Sequence, residues 1–133
     1  MSESSNKGCV LIVDDEVPLL ELIEEAFIDE GFRVMTAKNG HEALGVILSK
    51  SIDIVVSDIR MPGMGGLELR SICRSMPDKD PSIWIALTAH VDGDRGVVDL
   101  SSFQESFFKP YSPQILARLC RKLQDKSPLQ SAL

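Results

Sequence analysis

Hydrophobic positions along this chain fall into short unbroken runs, and between them lie stretches with helical spacing. Cys9 to Val13 is apolar throughout, rich in β-branched residues and too brief for a helix, which predicts a buried strand ended by Asp14 and Asp15. Leu20, Ile23 and Phe27 then share one helical face, with Pro18 suited to a first turn and Gly31 to the position just past the last one. The alternation repeats. Phe32 to Ala37 reads as a strand, Gly40 to Ser49 as a helix, and Ile54 to Ser57 as a third strand with Asp58 at its end. Leu69, Ile72, Cys73 and Met76 form the next helical stripe, and a break holding Pro77 and Pro81 leads to a strand from Ile83 to Leu87 that stops at Thr88. Asp92 to Ser102 contains Gly93 and Gly96 and only a thin apolar pattern, so a fourth helix there is expected to be short or mobile. Phe107 and Phe108 make a brief fifth strand before Lys109, and Leu116, Leu119, Cys120 and Leu123 mark a clear last helix.

Five strands alternating with helices predict an α/β fold whose parallel sheet is covered on both faces. Parallel strands need crossover connections, and unbroken apolar strands need an apolar neighbour on each side. In such sheets ligands bind beyond the carboxyl ends of the strands, where the strand order reverses. The polar residues at those ends are Asp14 and Asp15, Asp58, Thr88 and Lys109, and all are expected to meet on one rim.

Composition narrows this picture. A chain of 133 residues with 44% hydrophobic residues supplies one core, expected over residues 9–124. Met1 to Gly8 is polar and expected to be disordered, and Asp125 to Leu133 reads as a tail or the start of a linker. A net charge of −6 argues against a nucleic-acid surface, which requires clustered Lys and Arg. Cys9, Cys73 and Cys120 are odd in number, sit within apolar runs and lack metal-ligand spacing, so they read as buried free thiols of a reducing compartment. No apolar run approaches the ~20 residues that span a bilayer, and these features together place the chain in the cytoplasm.

The expected rim has a definite chemistry. Three carboxylates repel one another, and a hard divalent cation with oxygen ligands relieves that repulsion, Mg²⁺ being the natural occupant. A cation also lets a carboxylate act as nucleophile towards a phosphoryl group; Lys109 adds positive charge, and Thr88 a hydroxyl donor.

Val13-Asp14-Asp15-Glu16, Ser57 to Gly66 (SDIRMPGMGG), Leu87-Thr88-Ala89 and Phe108-Lys109-Pro110 resemble the four signatures of bacterial response-regulator receiver domains, in order and at compatible spacing over roughly Cys9 to Leu123. The resemblance implies a doubly wound, flavodoxin-like sheet of strand order 2-1-3-4-5. It implies that Asp58 takes phosphate from a sensor histidine kinase or a histidine phosphotransfer protein. Asp15, Asp58 and the backbone carbonyl of Arg60 would ligate Mg²⁺, and Asp14 would orient metal-bound water. Lys109 would pair with the phosphoryl group, Thr88 would move towards it, and the Lys109-Pro110 peptide would be cis. Switching of the fourth-helix, fifth-strand and last-helix surface would address a downstream effector, a fused output domain or a phosphorylation-dependent homodimer. Such a chain is a phosphoacceptor rather than an enzyme acting on other substrates. Ser106 stands three residues before the lysine, where many members carry Tyr or Phe, and Arg60 is large and cationic two residues after the acceptor. A hydrolase of the haloacid dehalogenase type also combines Asp, Thr, Lys and Mg²⁺, but it carries Asp-x-Asp on its first strand, whereas Asp58 ends the third. A pseudo-receiver would lack the chemical residues present here.

Overall fold

Alternation inside the short apolar runs decides the architecture. Successive strand residues point to opposite faces, so a run that is apolar at every position needs helices on both sides. The computed structural model describes residues 8–89 and 99–125. It contains β1 (Cys9–Val13), α1 (Val17–Asp29), β2 (Arg33–Ala37), α2 (Gly40–Ser49), β3 (Ile54–Asp58), α3 (Gly66–Arg74), β4 (Ile83–Thr88), β5 (Glu105–Phe108) and α4 (Pro113–Asp125). The strands form one parallel sheet in the order β2-β1-β3-β4-β5. Val10, Ile12, Ile54, Val56, Ile85 and Leu87 meet Leu20, Ile23 and Phe27 of α1 and Leu116 and Cys120 of α4 on one face. Leu11, Val13, Val55, Trp84 and Ala86 meet Ala43 and Ile47 of α2 and Leu69 and Cys73 of α3 on the other. Each large side chain so buried contributes roughly 1.5–3 kcal/mol relative to exposure. All three cysteines are free and buried.

Gly31, at φ +96°, sits just past α1 as expected. It allows a double closure in which Phe32 N–H donates to Phe27 O and Gly31 N–H to Ile28 O. That closure uses the Phe32 amide, so β2 begins one residue later than expected, and Phe32 is buried beside the Phe27 ring. Met76 does not extend α3. It precedes Pro77, which disfavours helical geometry, and α3 ends at Arg74. β5 is longer than its two phenylalanines, because Glu105 and Ser106 pair with Ile85 and Ala86 at the sheet edge. Polar, exposed edge residues give no hydrophobic signal.

Of the span expected to hold a fourth helix, Asp92 to Ser102, residues 92–98 lie outside the described residues, as do His90 and most of both termini. From Asp99 to Ser102 the backbone makes a turn rather than a helix, with Asp99 accepting from Ser101 N–H. That turn is tied to α3 and β4. Arg70 donates from Nε to Ser102 O at 3.0 Å, pairs with both oxygens of Asp80, and lies 5.0 Å over the Trp84 ring. Trp84 is core, and its indole N–H donates to Asp80 and to Pro81 O.

Candidate functional site at the carboxyl rim of the sheet

Register brings the strand ends together. Val13 stands opposite Ser57, Asp58 opposite Leu87, and Thr88 opposite Phe108, so the next polar residue of each strand falls on the same edge. The order reverses between β1 and β3, where Asp14, Asp15 and Asp58 meet. One carboxylate oxygen from each of these three lies within 4.8 Å of the others. Lys109 reaches over from the end of β5, with Nζ 3.1 Å from Asp58 Oδ2, 3.5 Å from Asp14 Oδ2 and 3.4 Å from Glu16 Oε1. Its peptide bond to Pro110 is cis. Every rim residue expected from the sequence is therefore brought to this edge.

Local hydrogen bonds fix the carboxylates. Asp14 Oδ1 accepts from Glu16 N–H at 2.9 Å, which joins the acid to the start of α1. Glu16, at the N-cap position of α1, makes no side-chain cap of its own. Asp58 Oδ1 accepts from Arg60 N–H at 3.2 Å, while the Arg60 side chain is exposed. Behind Asp58 the backbone is closely packed. A Cβ on Gly66 would sit 2.6 Å from Asp58 O, and one on Gly65 2.5 Å from Ile59 O, so α3 can start this near the acceptor only through glycine. Met61 and Met64 lie on the loop between β3 and α3, and Met61 is buried in the α2–α3 core, which anchors the loop. Beside it an open groove of about 510 Å³ is lined by Arg60, Leu67 and Glu68 among others.

Burial governs the electrostatics. It pushes the Asp14 carboxyl above its ordinary range, with Glu16 N–H and Lys109 offsetting part of the rise. Asp58 is also raised by burial, against the pull of Lys109 and Arg60 N–H, and Asp15 adds to the rise. For Lys109, burial opposes the charged form, but Asp58 and Asp14 prevail and hold the ammonium above its usual pKa. Lys109 is therefore a fixed cation.

The donor set fits a hard divalent cation. Asp14 Oδ2 is buried and accepts no hydrogen bond among the described residues, and the Lys109 ammonium lies 3.5 Å from it. A buried, bare carboxylate oxygen beside two other carboxylates leaves negative charge that one ammonium only partly balances. Thr88 is buried, and its hydroxyl donates to Ala89 O at 3.3 Å rather than to a carboxylate.

Two rim residues lay outside the sequence expectation. Glu16 stood beside the acidic pair, but only the fold carries Lys109 to it. Tyr111 has a buried hydroxyl without a hydrogen-bond partner among the described residues, and burial followed by the nearby Asp14 charge raises its pKa.

Comparisons with known proteins agree with this layout. Residues 10–120 match the family model described as the response regulator receiver domain. The chain is 37% identical over 103 residues to the DNA-binding transcriptional regulator NtrC of Salmonella typhimurium, covering 77% of this chain and 21% of that one. It thus spans about a fifth of the length of those regulators. It is 35% identical over 114 residues to an uncharacterized 14.6 kDa protein from the sodA1 3′ region of Leptolyngbya boryana, covering 85% and 87% of the two chains. Among solved structures, the response regulator TrrA of Thermotoga maritima, in complex with Mg²⁺-BeF, is 36% identical with a TM-score of 0.72, covering 87% and 98%.

Proposed function

Because the chain belongs to the response regulator receiver family, we propose that it is a phosphorylation switch whose acceptor is Asp58. One observation carries the reading: the Asp58 carboxylate is both paired with Lys109 at 3.1 Å and grouped with Asp14 and Asp15 within 4.8 Å. An Asp58 oxygen attacks the phosphorus of a phosphohistidine on a sensor histidine kinase or histidine phosphotransfer protein. A P–O bond forms, the P–N bond breaks, and its electron pair leaves with the imidazole, which ends protonated.

Asp15, Asp58 and the Arg60 carbonyl would hold Mg²⁺, with Asp14 orienting its water. When bound, the ion supplies charge neutralisation and alignment of phosphoryl oxygens. Lys109 meets a phosphoryl oxygen from the β5 side. Thr88 exchanges its bond to Ala89 O for a bond to the phosphoryl group, which draws the backbone after β4 towards the rim. The surface that responds runs from Asp99 through β5 to α4, and it would contact a downstream effector, a fused output domain or a second copy of the chain. Residues 9–124 would form the receiver, working in the cytoplasm. No described helix is long and apolar enough to cross a membrane.

Incubation with acetyl phosphate and Mg²⁺, followed by intact mass measurement, is expected to add one phosphoryl group to the wild type and none to Asp58→Asn. An unchanged wild-type mass, or equal labelling of Asp58→Asn, would sink the reading.

A further inference from the structure

Among the described residues, Lys109 makes two side-chain hydrogen bonds with different surroundings. Asp58, at 3.1 Å, has a side chain only 7% exposed, whereas Glu16, at 3.4 Å, is 63% exposed. Lys109 lies between them at 21%. The ammonium thus bridges a buried carboxylate and a solvent-exposed one. Glu16 is itself fixed at its backbone, because its N–H donates to Asp14 Oδ1. Asp14, Glu16 and Lys109 therefore form a closed ring of contacts, to which Asp58 is joined through Lys109.

We propose that Glu16 is a positioning residue for phosphoryl transfer, acting through Lys109: its carboxylate shares the ammonium with Asp58. The proposal rests on Asp58 being the acceptor. Two consequences follow from the charges. An ammonium shared with Glu16 neutralises the Asp58 nucleophile less than one closed fully onto Asp58 and Asp14. It is also already placed where an incoming phosphoryl oxygen must be met, so less rearrangement is needed at the moment of transfer. The opposite expectation comes from simple repulsion, since an exposed carboxylate at the mouth of the site disfavours an anionic donor. The two differ in sign.

A purely structural role is small on the same geometry. Glu16 makes no side-chain cap for α1 and is exposed, so its replacement leaves the core untouched. The experiment measures initial rates of labelling by acetyl phosphate at saturating Mg²⁺, together with thermal midpoints, for wild type, Glu16→Gln and Glu16→Ala. Glu16→Ala is expected to be about threefold to fivefold slower, the upper range for one solvent-exposed ion pair. Glu16→Gln should fall between, because its amide oxygen still accepts from Lys109 without the charge. The midpoints should stay together. On a Lys109→Met background, Glu16→Ala should produce no further slowing, since the residue acts through the ammonium. Labelling of both Glu16 variants at the wild-type rate or faster overturns the proposal, and so does a slowing that persists with Lys109→Met. A wild type that accepts no phosphoryl group overturns the assignment of Asp58 and this inference together, whereas normal wild-type labelling with insensitive Glu16 variants overturns this inference alone.

Discussion

Lys109 Nζ lies 3.1 Å from Asp58 Oδ2, although 51 residues separate the two in the chain. Two steps of sheet register produce the meeting: Asp58 stands opposite Leu87, and Thr88 opposite Phe108, so Lys109 is the first residue past the ladder. Lys109 N–H donates to Thr88 O at 2.9 Å and seals that edge. One ammonium cannot neutralise three grouped carboxylates, and the energetic consequences of that imbalance are measurable.

Asp14 and Asp58 both have folded-state pKa values raised above their unfolded ones, chiefly by burial. For a raised acid, the folded state holds its proton more tightly. The associated stability is fully present below the unfolded pKa and is lost as pH rises through the folded one. At neutral pH, in metal-free buffer, Asp58→Asn is therefore expected to melt at a higher temperature than wild type. The gap should close as pH falls through the raised pKa, because the wild-type carboxyl becomes neutral as well. Thermal scans from neutral pH downwards check this, and a gap that widens on acidification contradicts it.

Mg²⁺ should stabilise the wild type by binding only the folded rim. At a concentration tenfold above the dissociation constant, the gain is about 1.4 kcal/mol. Asp15→Ala, which removes an exposed carboxylate and no core contact, should lose most of that gain while keeping the metal-free midpoint. Melting curves with and without Mg²⁺ provide the measurement.

Gly66→Ala places a methyl 2.6 Å from Asp58 O, 3.1 Å from Ser57 Oγ and 3.2 Å from Ile59 Cα. Backbone must shift, since two of the three obstacles are main-chain atoms. The expected cost is roughly 1–3 kcal/mol by denaturant unfolding, the usual range for overpacking. Phosphoryl acceptance should fall as well, because the atoms displaced carry the acceptor.

Arg70→Lys keeps a charge but not the planar fork that joins Asp80, Ser102 O and the Trp84 ring. A loss of roughly 1–3 kcal/mol is expected for these charge-assisted bonds. Trp84 is the sole tryptophan, so its fluorescence reports the change directly. An unaltered spectrum and midpoint would show that the turn before β5 is held by other contacts.

Much of this molecule was legible in its residues, for identifiable physical reasons. Unbroken runs such as Cys9 to Val13 and Ile83 to Leu87 are buried on both faces, and that is the strongest strand signal a sequence carries. The rim residues were legible because each ends such a run. What escaped was held by other forces. Glu105 and Ser106 join β5 through backbone pairing alone, and Phe32 leaves β2 because the end of α1 takes its amide. Arg70 carries no signal of its role in the sequence, because only the packing of α3 brings it over Trp84. Glu16 was visible in the motif but was not counted among the residues expected to meet on the rim, although the facing ends of β1 and β5 bring it to Lys109.

The most direct measurement is chemical identification of the phosphorylated atom. An acyl phosphate on a carboxylate is reduced by borohydride to an alcohol, whereas a phosphate ester on serine or threonine is not. Chain labelled by acetyl phosphate and Mg²⁺, reduced, digested and sequenced by tandem mass spectrometry, is expected to carry homoserine at position 58 and unmodified Asp14 and Asp15. Reduction at either of those aspartates instead, or a borohydride-resistant phosphate on any hydroxyl, would contradict the assignment of Asp58.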